Sequence, residues 1–276
     1  MPHNYLYTLQ TKFVNRSSVA KWLRSHVMYP TLTRLVKNQK IVFLNYGYAS
    51  LDPATPQMAL EAADEPNRFC IQLYQRVAGA VDVRGADLLE VSCGHGGGAD
   101  YMMRYLHPAT LTGVDLNPQA IQFCQQNHTS SGLSFVHGSA EALEFNAESF
   151  DAVINVEASH CYGSMQRFLQ EVKRVLRPGG HFLFADIRRQ EDIALLNDQL
   201  ARSGLEIIST EDITANVIQS IELDNARKKE WVQALAPRGF RGFFESFARL
   251  KETPSYAALA NREECYLRYV LRKQAL

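Results

Sequence analysis

DLLEVSCGHGGGA, residues 87–99, is a strand that runs into a glycine-rich turn and then into a helix. Asp87–Ser92 has the aliphatic run of a buried strand. Gly94, Gly96, Gly97 and Gly98 follow, where the backbone must turn tightly and approach a ligand closely. The helix behind them opens with free N–H groups aimed at whatever the turn holds. A ligand site at the carboxyl end of a strand is the first expectation.

Working outward, short β-rich runs alternate with helical patterns. After Asp87–Ser92 come Thr110–Asp115, Leu133–His137, Phe150–Asn155, Gly180–Asp186, Leu205–Thr210 and Glu264–Arg272. Asn117 and Pro118 form a cap and first turn, followed by Ala120, Phe123 and Cys124 at helical spacing. Met165–Leu176 places Phe168, Leu169, Val172, Val175 and Leu176 on one face and ends at Arg177-Pro178-Gly179-Gly180. This alternation predicts an α/β fold with a mostly parallel, seven-stranded sheet. Residues 1–80 and 212–262 fall outside it, and both read as helical. The second region holds Trp231, Phe240, Phe243, Phe244, Phe247 and Tyr256, either as a cap over an apolar pocket or as a packing cluster. The expected division is an N-terminal lid or arm at 1–80, a ligand-binding core at 81–211, a substrate cap at 212–262, and the last core strand at 263–276.

The 276 residues carry no formal net charge and are 46% hydrophobic, which suits one core with an elaboration and gives no reason to expect nucleic acid. Five cysteines, an odd number without a Cys-x-x-Cys pair, suit a reducing cytoplasm. No apolar run is long enough to span a bilayer. Residues 1–51 contain seven Lys or Arg and no Asp or Glu, with Val19, Trp22, Leu23 and Val27 at helical spacing. Three readings fit: an active-site lid, a peripheral contact with an anionic membrane, or a transit peptide.

Asp115 closes the second strand, where a carboxylate accepts from both hydroxyls of a ribose. Gly94-x-Gly96-x-x-Ala99 on its own also satisfies a dinucleotide fingerprint, so a nicotinamide or flavin cofactor competes with S-adenosylmethionine (SAM). Two features favour SAM. The loop begins after some 90 residues, and Gly138-Ser139-Ala140-Glu141 supplies a short polar turn for an adenine. The order of fourth strand, helix, RPGG and fifth strand is a methyltransferase arrangement, which leads to a resemblance.

The chain resembles class I SAM-dependent methyltransferases with their Rossmann-like core. More narrowly it is similar to the mycobacterial phthiotriol and phenolphthiotriol dimycocerosate O-methyltransferases and glycopeptidolipid fatty-acid O-methyltransferases. The strings are FLNYGY (43–48), DEPNRF (64–69), QLYQRVA (72–78), LLEVSCGHGGGADY (88–101), LHPATLTGVDLNP (106–118), ESFDAVINVEASHCY (148–162) and RFLQEVKRVLRPGGHFLFAD (167–186). It covers residues 40–190 strongly, is weak before them and loose after them. RPGG alone is common; EVSCGHGGG and NVEASHCY are specific. Ser92 stands where many class I enzymes have Gly, and Ser139 where many have Asp.

The resemblance implies SAM as cofactor, S-adenosylhomocysteine as product, and O-methylation of a hydroxylated lipid or polyketide-like acceptor. It places Glu90, Ser92, Gly94 and Gly96 at the methionine end of the cofactor. Asp115 and Leu116 lie at the ribose, Ser139 and Ala140 at the adenine, and Asn155 and Tyr46 beside them. Tyr48, His160 and Tyr162 are implied at the acceptor.

Methyl transfer from a sulfonium is an in-line displacement, helped by alignment and by a base near a weakly nucleophilic hydroxyl. His160, just beyond the fourth strand, is the candidate base, the alternative being a histidine that only bonds the loop backbone. Glu157 either orients it, helps the cofactor amine, or caps the loop. Asp186 ends the fifth strand at the same edge; with Glu157 and His160 it makes a conceivable cation site, but no ligand spacing supports a metal. Cys161 reads as a pocket thiol. His95 either touches the cofactor carboxylate or faces solvent. Two other functions share this core: N- or C-methylation of a small metabolite, and a SAM-fold binding protein or cyclase without methyl transfer.

Overall fold

The computed structural model describes residues 41–236, Gly239 and 241–275. The basic pattern centred on Trp22 lies outside the described residues, as does Phe240.

Seven strands form one sheet: β1 (Asp87–Val91), β2 (Thr110–Asp115), β3 (Leu133–His137), β4 (Phe150–Val156), β5 (Leu176–Arg189), β6 (Glu206–Asp212) and β7 (Glu264–Arg272). Their order is β3-β2-β1-β4-β5-β7-β6. β7 runs antiparallel to both β5 and β6, while the β1–β5 pairings are parallel. The helices are α1 (Arg68–Ala78), α2 (Gly97–Leu106), α3 (Pro118–Asn127), α4 (Met165–Val175), α5 (Ile193–Ala201), α6 (Thr214–Leu235), α7 (Arg241–Phe247) and α8 (Pro254–Ala260).

Alternation along the strands divides the core in two. Leu88, Leu183, Ala185 and Ile187 face a layer with Tyr74 and Val77 of α1, Tyr101 and Met102 of α2, and Val217 and Ile221 of α6. Leu89, Val91, Phe182 and Phe184 face the other side, against Phe168, Leu169 and Val172 of α4 and Leu196 and Leu200 of α5. Each fully buried Leu, Val, Ile, Met or Phe among them contributes about 1.5–3 kcal/mol. Both faces are covered, which is why the central strands are apolar runs rather than alternating ones. From β1 the sheet grows through β2 and β3 on one side and through β4 on the other. Loops leaving the carboxyl ends of β1 and β4 therefore part company and leave a crevice.

Two expectations are corrected. Residues 41–64 contain no helix; in the described part of 1–80 only the 3-10 turn Glu65–Asn67 and α1 are helical. The first part of this stretch is bonded to other elements instead: Gly97 N–H donates to Val42 O, Tyr48 N–H to Phe69 O, and Ala49 N–H to Asn216 O. β5 begins at Leu176, not Gly180. RPGG is an irregularity inside that strand, where pairing with β4 shifts register between Phe150 and Ala152.

Candidate active site

The site is assembled at the carboxyl ends of β1, β2 and β4. Cys93 N–H still donates to Val114 O in the manner of the sheet, and then the chain turns. Gly96 takes φ +79° and caps α2, a left-handed conformation that suits glycine. Ser92 also lies at positive φ, +62°, where a side chain costs about 1–2 kcal/mol. Its hydroxyl is held 2.7 Å from Tyr162 Oη, and Tyr162 in turn accepts from Asn155 Nδ2 at 2.8 Å. Asn155 Nδ2 also donates to Val91 O. Ser92 is thus tethered where a glycine would only be permitted.

A cavity of about 380 Å³ opens over this turn. Of the residues expected at the cofactor or acceptor, Tyr46, Ser92, Gly94, Asp115, Leu116, Ser139, Ala140, Glu157, His160 and Tyr162 all line it. Four do not. Glu90 is 1% exposed and accepts from Tyr74 Oη at 2.6 Å; burial pushes its carboxyl up to about 8. It braces α1 beneath the turn. Gly96 faces inward, toward His128, Phe135 and Cys124. Asn155 sits behind the wall and positions Tyr162. Tyr48 is turned away because Gly47, at φ +87°, breaks the extended run from Tyr46. Its phenol lies near Arg76, Glu211 and Arg268.

Asp115 accepts from Gly94 N–H at 2.9 Å through one oxygen and from Asn117 N–H at 2.8 Å through the other. Burial raises its pKa. Leu116 N–H is a third backbone donor to this carboxylate, which lines the cavity. Ser139 Oγ accepts from Glu141 N–H, closing the polar turn after β3. His95 is 2% exposed, bonded to Ile41 O at 2.7 Å with its ring on Phe123, and so does not face solvent.

His160 stands on the 3-10 turn Ser159–Cys161 after β4. Its Nδ1 lies 2.7 Å from Oδ1 of Asp186, which has no exposed surface. Oδ2 of Asp186 accepts from Ser159 Oγ (2.6 Å) and His160 N–H (2.9 Å) and pairs with Arg188 Nη1 at 2.8 Å. Burial disfavours the Asp186 charge, but Arg188 and His160 outweigh it and hold the carboxyl well below its usual range. Burial likewise disfavours an imidazolium, yet the Cys161 thiol and Asp186 lift His160 above the ordinary imidazole value. With Nδ1 committed to Asp186, proton exchange with the cavity falls to Nε2. Sequence reasoning grouped Asp186 with His160 only as a conceivable cation site, and did not foresee it as the hydrogen-bond partner of the imidazole.

Glu157 does something else. At φ +55°, its Oε2 accepts from Tyr46 N–H and Tyr266 Oη, both at 3.0 Å. It ties the segment that covers the cavity to β7. Burial pushes its carboxyl up to about 7. Among the described residues no group of three His, Cys, Asp or Glu side chains is arranged to hold a metal. The expected aromatic cap is mostly internal packing. Trp231, Phe244 and Phe247 join Val232, Ala236 and Leu250 in a cluster of their own, Tyr256 packs on the main core, and of these aromatics Phe247 lines the cavity.

The wall suits a cation with a ribose. Asp115, Glu141 and Glu157 supply carboxylates, and among the described residues lining the cavity there is no Lys or Arg to meet a pyrophosphate. A Cβ added at Gly94 would meet only Leu44 Cδ1, at 3.7 Å, so the backbone there is open to a ligand.

Residues 89–184 match the family described as methyltransferase domain. Over 245 residues the chain is 45% identical to the phthiotriol/phenolphthiotriol dimycocerosates methyltransferase of Mycobacterium tuberculosis, covering 89% of this chain and 90% of that protein. The chain belongs to this family of SAM-dependent methyltransferases. It is also 41% identical over 249 residues to a fatty-acid O-methyltransferase of Mycolicibacterium smegmatis, covering 90% and 89% of the two chains. The crystal structure of the cyclase SpnF shares the fold, with a TM-score of 0.69 and 19% identity over 90% of this methyltransferase and 95% of that chain. So does geranyl diphosphate C-methyltransferase from Streptomyces coelicolor, at TM-score 0.60 and 14% identity over 90% and 99%. The cofactor of this methyltransferase is SAM, as the wall chemistry fits and the family requires.

Proposed function

We propose that this methyltransferase moves a methyl group to a hydroxyl oxygen of a lipid- or polyketide-like acceptor, with His160 as general base. The observation that carries this reading is that His160, on the cavity wall, lies 2.7 Å from the buried carboxylate of Asp186. The relatives, named as methyltransferases of phthiotriol-type lipids and of fatty acids, support an apolar acceptor. SAM, when bound, supplies an electrophilic methyl and leaves as S-adenosylhomocysteine. Asp115 holds the ribose, the Ser139–Ala140 turn holds the adenine, and Tyr46 with the Ser92–Gly94 backbone holds the methionine end. His160 Nε2 takes the hydroxyl proton as the nucleophile commits, and Asp186 stabilises the imidazolium that results. Such a base contributes about 10²–10⁴-fold. A panel of hydroxyl, amine and carbon acceptors with methyl-labelled SAM tests the reading. The label is expected in an ether. Label on nitrogen or carbon, or no transfer to any acceptor, would overturn it.

Glu157 adds a pH dependence. Its pKa near 7 means that the carboxylate forms as pH rises through neutrality. A cation in the same cavity favours that ionised form and lowers its pKa, so SAM binding is coupled to loss of the proton. SAM affinity is therefore expected to rise several-fold between about pH 6 and pH 8 and to be flat in Glu157→Gln. Calorimetric titrations across that range check it; the same slope in both proteins would count against it.

A further inference from the structure

Phe243 and Phe247 stand one turn apart on α7, ring centroids 6.5 Å apart and 20° from parallel. Phe247 lines the cavity. Phe243 is 47% exposed, and no other Phe or Trp among the described residues is so open to solvent. A continuous aromatic surface thus leads from solvent to the cavity wall. Its base is firm, because Phe244 between them is buried in the cluster with Val232 and Leu250.

We propose that this aromatic ledge holds the alkyl chain next to the acceptor hydroxyl, so that Phe243 and Phe247 select acceptors by chain length. The proposal rests on the hydroxyl-methylation reading above and names the substrate feature that reading leaves open.

Two observations lead to the chain. The cavity, about 380 Å³, lies near the lower end of the roughly 300–1,000 Å³ that one drug-sized ligand occupies. The cofactor is such a ligand, so only the reacting end of a lipid fits beside it and the remainder must pass outward. The wall also offers no Lys or Arg among its described residues, while Asp115, Glu141 and Glu157 repel anions. An uncharged hydrocarbon is favoured there over a phosphate or carboxylate headgroup. Phe247 is the apolar exit from that wall, and Phe243 extends it.

The test measures binding, so it does not depend on turnover. Secondary alcohols from butan-2-ol to decan-2-ol are titrated into the S-adenosylhomocysteine-loaded enzyme. Affinity is expected to climb about fourfold for each methylene that the ledge covers. Phe247→Ala is expected to flatten the climb throughout, and Phe243→Ser to stop it at the longer chains. S-adenosylhomocysteine affinity should stay the same in Phe243→Ser. Phe243 is exposed, so Phe243→Ser decides the matter even if Phe247→Ala fails to fold. A wild-type affinity independent of chain length, or a climb unchanged in either folded variant, overturns the proposal. Failure of the base reading looks different: His160→Ala would then keep its turnover while the chain-length climb stays intact.

Discussion

Asp186→Asn is expected to lower kcat by about 10²–10⁴-fold, with SAM affinity changed little. The carboxylate of Asp186 does two things for His160. It fixes the ring through the 2.7 Å contact at Nδ1, leaving Nε2 as the acceptor for a substrate proton. It also stabilises the imidazolium formed when that proton arrives. An asparagine amide keeps an oxygen near the same place but removes the charge, and it can present an N–H that turns the imidazole to the wrong tautomer. The pH dependence gives a second readout. Asp186 and the Cys161 thiol raise the His160 pKa against the effect of burial. The rate should therefore rise with pH as the imidazolium loses its proton, with a midpoint above that of free histidine. Removing the carboxylate lowers that pKa, so the rising limb moves to lower pH even as the maximum falls. Parallel pH–rate profiles check both effects. A limb that stays in place, or an undiminished kcat, would show that Asp186 is only a structural carboxylate bound by Ser159 and Arg188.

Asp115→Ala is expected to weaken SAM binding by about 10²-fold or more, with a smaller effect on kcat at saturation. A ribose offers two hydroxyls, and hydrogen bonds to a charged group contribute about 1.5–3 kcal/mol each. The variant also releases Gly94 N–H and Asn117 N–H, which Asp115 accepts in the structure. The glycine turn would lose its tie to the end of β2, and the site would be less organised before the cofactor arrives. Isothermal titration of SAM measures the loss. Affinity within threefold of wild type would remove Asp115 from the cofactor site.

Much of this architecture is legible from the residues. β2, β3 and β7 have the bounds that their patterns suggest, because turn residues flank each run. The glycine turn, Asp115, the Ser139 turn and His160 meet at one cavity because the order of strands in an open sheet puts their carboxyl ends together. What escapes is set by register and by single backbone angles. Asp186 meets His160 because β4 and β5 pair Val156 with Ala185, a register no local pattern encodes. Glu157 reaches Tyr46, 111 positions away, only once the covering segment is in place. Tyr48 looks equivalent to Tyr46 until Gly47 adopts φ +87°. In the stretch after residue 40, backbone groups of Val42, Tyr48 and Ala49 bond α2, α1 and α6 instead of closing helical turns.

If His160 removes the hydroxyl proton as the methyl moves, single-turnover transfer from labelled SAM to a long-chain secondary alcohol is slower in His160→Ala than in wild type at saturating cofactor and acceptor. The expected transfer rate is lower by about 10²–10⁴-fold, with binding of both ligands preserved. Transfer at the wild-type rate by His160→Ala would contradict it.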